Sequence, residues 1–193
     1  ITVDNMFSAF EKMTIGLPAK VDRRSEEIKN MISYHEIGHA VIAYLFSDMY
    51  DLQAVTINAN KNGAGGYTLF TPKDKYEGYP TKKFLLSNIM IALGGRAAEY
   101  LMNKDKVEYN NKYGDLNVFK DINDLYVTTG ASNDLKQANS LARRYVSLFG
   151  MGEKIGLYDS SGGGGQPFLG RNLATNSDKL SDYSKELIDK EIA

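Results

Sequence analysis

Apolar residues recur at three- and four-residue steps along several stretches of this chain, and two shorter stretches have the composition of strands. Over residues 4–13, charged and apolar groups interleave at helical spacing through Met6, Phe7, Phe10 and Met13, which predicts a helix. Gly16-Leu17-Pro18 ends that pattern. Ser25 followed by Glu26 and Glu27 forms a helix start, with acids placed where the helix dipole favours them. The pattern then runs to about Phe46, through Ile28, Met31, Ile32, His35, His39 and Ile42. Val55–Ile57 and Gly66–Phe70 read as short strands joined by the turn-rich Asn58–Gly65. Phe84–Met102 is a second long apolar helix, interrupted by Gly94-Gly95. Asn103–Tyr126 is polar and reads as a loop. Ser132–Phe149 predicts a third long helix, the glycine run in Ser160–Gln166 a flexible connector, and Asp178–Ile192 an amphipathic helix. The class is mostly α with a small β-sheet (α+β).

The 193 residues suffice for one domain with a real core. Hydrophobic residues make up 42%, an ordinary globular share. A net charge of −1 offers no nucleic-acid surface, so no nucleic-acid partner is expected. The absence of cysteine removes disulfides, thiolate metal sites and cysteine nucleophiles. No apolar run approaches the roughly 18 residues that span a bilayer. The opening Ile-Thr-Val-Asp is neither a signal peptide nor an initiator methionine. The chain is therefore expected to be part of something longer, with any membrane contact made through segments outside it.

The chemistry lies in His35-Glu36-Ile37-Gly38-His39, an H-E-x-x-H motif. Histidines four residues apart stand one above the other on a helix, so two imidazoles can share one tetrahedral ion. The glutamate beside the first is placed to reach the metal's water rather than the metal. The chain's only two histidines both fall in this motif. His35 and His39 are therefore expected to bind Zn²⁺, with Glu36 as general base. A third protein ligand must be a carboxylate, since no other histidine and no cysteine is present. The extended metzincin motif would need a histidine where Leu45 stands. Two candidates remain, Glu99 on the second apolar helix and Asp134 in Thr129-Gly130-Ala131-Ser132-Asn133-Asp134. The residues alone do not choose between them.

The chain resembles the peptidase domain of the FtsH-type AAA proteases, which are membrane-bound, ATP-dependent zinc proteases. The resemblance rests on Tyr34-His35-Glu36-Ile37-Gly38-His39-Ala40, Gly65-Gly66-Tyr67-Thr68, Leu93-Gly94-Gly95-Arg96-Ala97-Ala98-Glu99 and Thr128-Thr129-Gly130-Ala131-Ser132-Asn133-Asp134-Leu135. Arg143 to Gly150-Met151 and Phe168-Leu169-Gly170-Arg171 extend it over nearly the whole chain. It implies a helical metallopeptidase domain with the H-E-x-x-H helix at its centre. It also implies Asp134 as third zinc ligand, with Glu99 orienting a ligand histidine. Gly65, Gly66, Tyr67 and Thr68 would belong to an edge strand that pairs with extended substrate. The implied activity is endoproteolysis of unfolded or misfolded, membrane-associated polypeptides by a homo-hexamer. The implied location is a mitochondrial, plastid or bacterial inner membrane.

Two departures from the family pattern stand out. A stretch of about 103–127 intervenes before the Thr-Gly-Ala block and reads as an insertion. The chain also lacks a G-x-x-x-x-G-K-[ST] phosphate loop. ATP and Mg²⁺ would therefore act only through an ATPase module outside it, of which residues 1–20 would be the end or linker. Residues 21–193 would form the peptidase domain, without the family's further C-terminal helices. Two other readings share the motif: an oligomerisation ring with a structural metal, and a stand-alone peptidase of small peptides.

Overall fold

The computed structural model describes residues 2–14, 16–17, 21–61, 64–76, 78–103, 127–154 and 182–193. The expected polar stretch over 103–127, apart from its ends, and the glycine-rich connector lie outside these residues. The described elements are α1 (Val3–Thr14), α2 (Glu26–Leu45), β1 (Tyr50–Thr56), β2 (Tyr67–Pro72), α3 (Lys82–Asn103), α4 (Ser132–Ser147) and α5 (Asp182–Ile192). Short 3-10 turns cover Asp74–Tyr76 and Thr129–Ala131. The architecture is mostly α with one small antiparallel sheet, as the hydrophobic pattern predicts.

Local chemistry sets where α2 begins. Ser25 is its N-cap and its hydroxyl accepts from Ile28 N at 3.3 Å, while Glu26 and Glu27 occupy the first turn. Ile28, counted in the apolar stripe, is 44% exposed. The deepest positions are instead Glu36, His39, Ala40 and Ala43. Small residues lead because α3 lies against this face at close range. A Cβ on Gly38 would stand 2.3 Å from the Gly94 carbonyl oxygen, and one on Gly94 would stand 2.7 Å from the Gly38 oxygen. These glycines let the two backbones touch. Gly94-Gly95 therefore does not interrupt the helix as expected; α3 runs continuously through both. Burial against α2 outweighs the roughly 1 kcal/mol helix cost of each glycine.

Strand β1 starts at Tyr50, five residues before the expected Val55, and ends at Thr56. A register irregularity between Leu52 and Ala54 explains why period-two alternation does not reveal it. Strand β2 pairs Tyr67 with Thr56 and Pro72 with Tyr50.

Two cores hold these elements. One gathers Ala43, Met49, Tyr50 and Ile91, with Phe84 and Tyr76 packed against them. Tyr50 stacks on Phe84 and its hydroxyl meets the buried Ser87 Oγ at 2.8 Å. The second joins Leu85 of α3, Tyr145 and Val146 of α4, and Ile188 of α5. It fastens α4, and with it Asp134, against α3. Among the described residues no helix is long and apolar enough to cross a membrane.

Candidate metal centre

His35 and His39 project from α2 one turn apart, and each ring is fixed by its Nδ1. His35 Nδ1 lies 2.7 Å from Glu99 Oε1, and His39 Nδ1 lies 2.7 Å from the Ile91 carbonyl oxygen. A carboxylate and a carbonyl can only accept, so both Nδ1 atoms donate. In the neutral form each ring then has its lone pair on Nε2, and the two Nε2 atoms face one another at 3.1 Å. Asp134 Oδ2, from the first turn of α4, completes the group at 3.2 Å from His35 Nε2 and 3.7 Å from His39 Nε2.

Three lone-pair atoms so close repel one another unless positive charge sits among them. Ligands about 2.1 Å from a tetrahedral ion stand roughly 3.4 Å apart, and the separations here, 3.1, 3.2 and 3.7 Å, bracket that value. Two imidazoles and one carboxylate are a donor set that fits Zn²⁺. The local field points the same way. Burial disfavours charge on His35, but Asp134 and Glu99 outweigh it and raise its pKa. Burial likewise opposes charge on His39, and Asp134 with the Ile91 carbonyl raises it. Burial alone would raise Asp134, yet the two imidazoles hold its carboxyl well below the usual range.

Glu99 and Asp134, the two carboxylates left open by the sequence, occupy different sides of the histidines. Glu99 is 1% exposed and reaches Nδ1, the nitrogen facing away from the cluster. Its carboxylate also accepts from Thr128 N at 2.7 Å and Thr128 Oγ1 at 3.2 Å.

Glu36 is buried beside the group, and burial pushes its carboxyl pKa upward. Thr68 Oγ1 stands 2.9 Å from Glu36 Oε2 and 2.8 Å from the Glu36 carbonyl oxygen. His35, Glu36, His39, Glu99 and Asp134 line one cleft of about 1040 Å³, with Gly65, Gly66, Tyr67 and Thr68 along one side. All the site residues expected from sequence therefore meet at this cleft. Sequence reasoning missed Arg24, which donates to Gly65 O at 2.5 Å and Ile57 O at 2.6 Å and so closes the connection between the strands. It also missed the hydroxyl contact of Thr68, for which no sequence signal exists.

Against known proteins, the chain matches the sequence profile of peptidase family M41 over residues 22–111 and 117–193. The chain belongs to peptidase family M41. Similar relatives of this M41 chain include the chloroplastic ATP-dependent zinc metalloprotease FTSH of Medicago sativa. It is 34% identical over 194 residues, covering 100% of this chain and 24% of the relative. FtsH 3 of Synechocystis sp., also called an ATP-dependent zinc metalloprotease, is 34% identical over 195 residues, covering 100% and 28%. The ATP-dependent zinc metalloprotease FtsH of Thermobaculum terrenum is 37% identical over 188 residues, covering 97% and 25%. The M41 chain thus spans about a quarter of the length of these relatives.

Proposed function

We propose that this M41 chain is the proteolytic domain of a zinc endopeptidase that degrades unfolded or misfolded polypeptides. The observation that carries the reading is the convergence of His35 Nε2, His39 Nε2 and Asp134 Oδ2 beside the Glu36 carboxylate in one cleft. His35, His39 and Asp134 would hold Zn²⁺. When bound there, the ion lowers the pKa of a water molecule and polarises a carbonyl. Glu36 takes a proton from the attacking water and hands it to the leaving amine. Glu99 and the Ile91 carbonyl keep both imidazoles in the tautomer that turns Nε2 toward the ion. Gly65, Gly66, Tyr67 and Thr68 offer main-chain groups to an extended substrate. The pairing of β2 with β1 alone among the described residues supports this, since the other edge of β2 is then left without a strand.

The names of the relatives support an ATP-driven machine around this domain. Residues 1–20 would link it to the ATPase module and residues 21–193 would form the peptidase domain. The profile match from residue 22 supports that boundary. The stretch over 103–127 is read as an insertion within the domain. Assembly as a homo-hexamer, and anchoring to a mitochondrial, plastid or bacterial inner membrane through segments outside this chain, follow from the family resemblance.

The test is Glu36→Gln. Its cleavage of an unstructured peptide should fall at least about 100-fold while zinc per chain stays near the parent value. Parent-like cleavage by Glu36→Gln would sink the assignment.

A further inference from the structure

We propose that Thr68 is a positioning residue for the Glu36 carboxylate, its hydroxyl tying Oε2 and leaving Oε1 to handle the proton; this rests on Glu36 being the base. Gly66, just before β2, and Thr68, within it, both lie against one side of the cleft. That side is the one Glu36 occupies. A Cβ on Gly66 would stand 3.0 Å from Glu36 Cγ and 2.6 Å from Thr56 O, so the missing side chain leaves the space that the Glu36 stem fills. At the next position on that side, Thr68 Oγ1 reaches the carboxylate at 2.9 Å. Gly66 thus makes the slot and Thr68 closes it.

Thr68 has one hydroxyl hydrogen and two acceptors within reach, the carboxylate and the Glu36 carbonyl. The two acceptors are not equally in need. Glu36 lies inside α2, where its carbonyl already accepts from the helix four residues on. Among the described residues the carboxylate has Thr68 as its one hydrogen-bond partner. It is also buried, and a buried carboxylate oxygen with no donor is costly. The hydroxyl therefore orients the carboxylate rather than mending the backbone. The carboxylate is held by two elements at once, its own helix and the strand beside the cleft. A substrate seated along that strand would meet the base at a fixed height.

The experiment compares Thr68→Val, Thr68→Ser, Thr68→Ala and Glu36→Gln in the zinc-loaded chain. It reads zinc content, kcat and KM on an unstructured peptide, and the crystal structure of Thr68→Val. The expected result for Thr68→Val is a kcat about 10- to 100-fold lower, as for other small misplacements of a catalytic group. KM and zinc content should stay within about twofold, with the Glu36 carboxylate displaced in the crystal. Thr68→Ser should return kcat to within about threefold of the parent, because it keeps the hydroxyl.

An unchanged kcat in Thr68→Val, or a change in KM alone, overturns the proposal. So does an undisplaced carboxylate, or Thr68→Ser as impaired as Thr68→Val, which would make the methyl group the relevant part. If Thr68→Val does not fold, Thr68→Ser well above Thr68→Ala supports the proposal, and equality of the two overturns it. Full activity in Glu36→Gln brings down the base reading itself. An inactive Glu36→Gln beside a parent-like Thr68→Val brings down the role of Thr68 alone.

Discussion

Gly95 lies directly beneath the imidazole of His35: a Cβ added to it would stand 2.5 Å from His35 Cε1 and 2.6 Å from His35 Nε2. The same atom would be 2.6 Å from His39 Nε2. Both rings are pinned at Nδ1, so neither can tilt away freely. Gly95→Ala is therefore expected to lose zinc although alanine favours helices. Zinc per chain after dialysis should fall to less than about a tenth of parent, given that disturbing even the partners of zinc ligands costs 10- to 100-fold in affinity. Parent-like zinc retention by Gly95→Ala would show that the rings have more freedom than their hydrogen bonds suggest.

Asp134 and Glu99 should separate cleanly by the same measurement. Asp134→Ala removes an oxygen facing both Nε2 atoms and is expected to abolish stable zinc binding. Glu99→Gln keeps the shape and one acceptor for His35 Nδ1 but loses the charge. It should retain zinc with affinity about 10- to 100-fold weaker. Competition against a chelator gives both values. Loss of zinc in Glu99→Gln with retention in Asp134→Ala would reverse the two roles.

Arg24 joins the ends of the connection between β1 and β2 by donating to Ile57 O and Gly65 O, with Asp22 paired to its Nε at 2.8 Å. Lysine cannot reproduce this forked geometry. Both Arg24→Ala and Arg24→Lys should lower stability by about 1–3 kcal/mol, from two charge-assisted hydrogen bonds. Urea unfolding measures that loss. Hydrogen exchange should quicken first at the Gly65–Thr68 end of the cleft. Equal stability of Arg24→Lys and parent would mean the fork is not used.

Ile91 has a divided role. Its side chain is 1% exposed in the core with Ala43, Met49 and Tyr50, and its carbonyl holds His39. Ile91→Ala should cost about 2–5 kcal/mol of stability, as buried large-to-small changes do. It keeps the carbonyl, so zinc should remain bound in the folded protein. Thermal melting with and without chelator distinguishes the two parts. A change in zinc affinity as large as the change in stability would mean that the carbonyl moves with the side chain.

Sequence legibility followed the range of the interactions. The H-E-x-x-H pair is local, because one helical turn brings His35 and His39 together, and the sequence suffices to place them on one face. The three longest helices were legible for the same reason. The third carboxylate was not: residues 99 and 134 both reach the histidines, and only the fold decides which nitrogen each one faces. Gly94 looked like an interruption because its benefit lies on another helix, at Gly38. The early start of β1 was hidden by its irregular register at Leu52–Ala54. The family resemblance places Thr68 in a substrate strand, and nothing in its neighbours announces a contact with a residue 32 positions earlier.

Glu99 does more than touch His35. By accepting from Thr128 N and Thr128 Oγ1 it fixes the point where the chain comes back to the site, six residues before Asp134. Arg96 adds a second fastening, donating to Thr128 O at 3.1 Å. The chain leaves α3 at Asn103 and re-enters at this fixed post. The approach to Asp134 is therefore set by contacts with α3 itself. The position of Asp134 at the cleft is thereby referred to α3, the helix that also carries Glu99. One helix thus serves as the common reference for both carboxylates that reach the histidines.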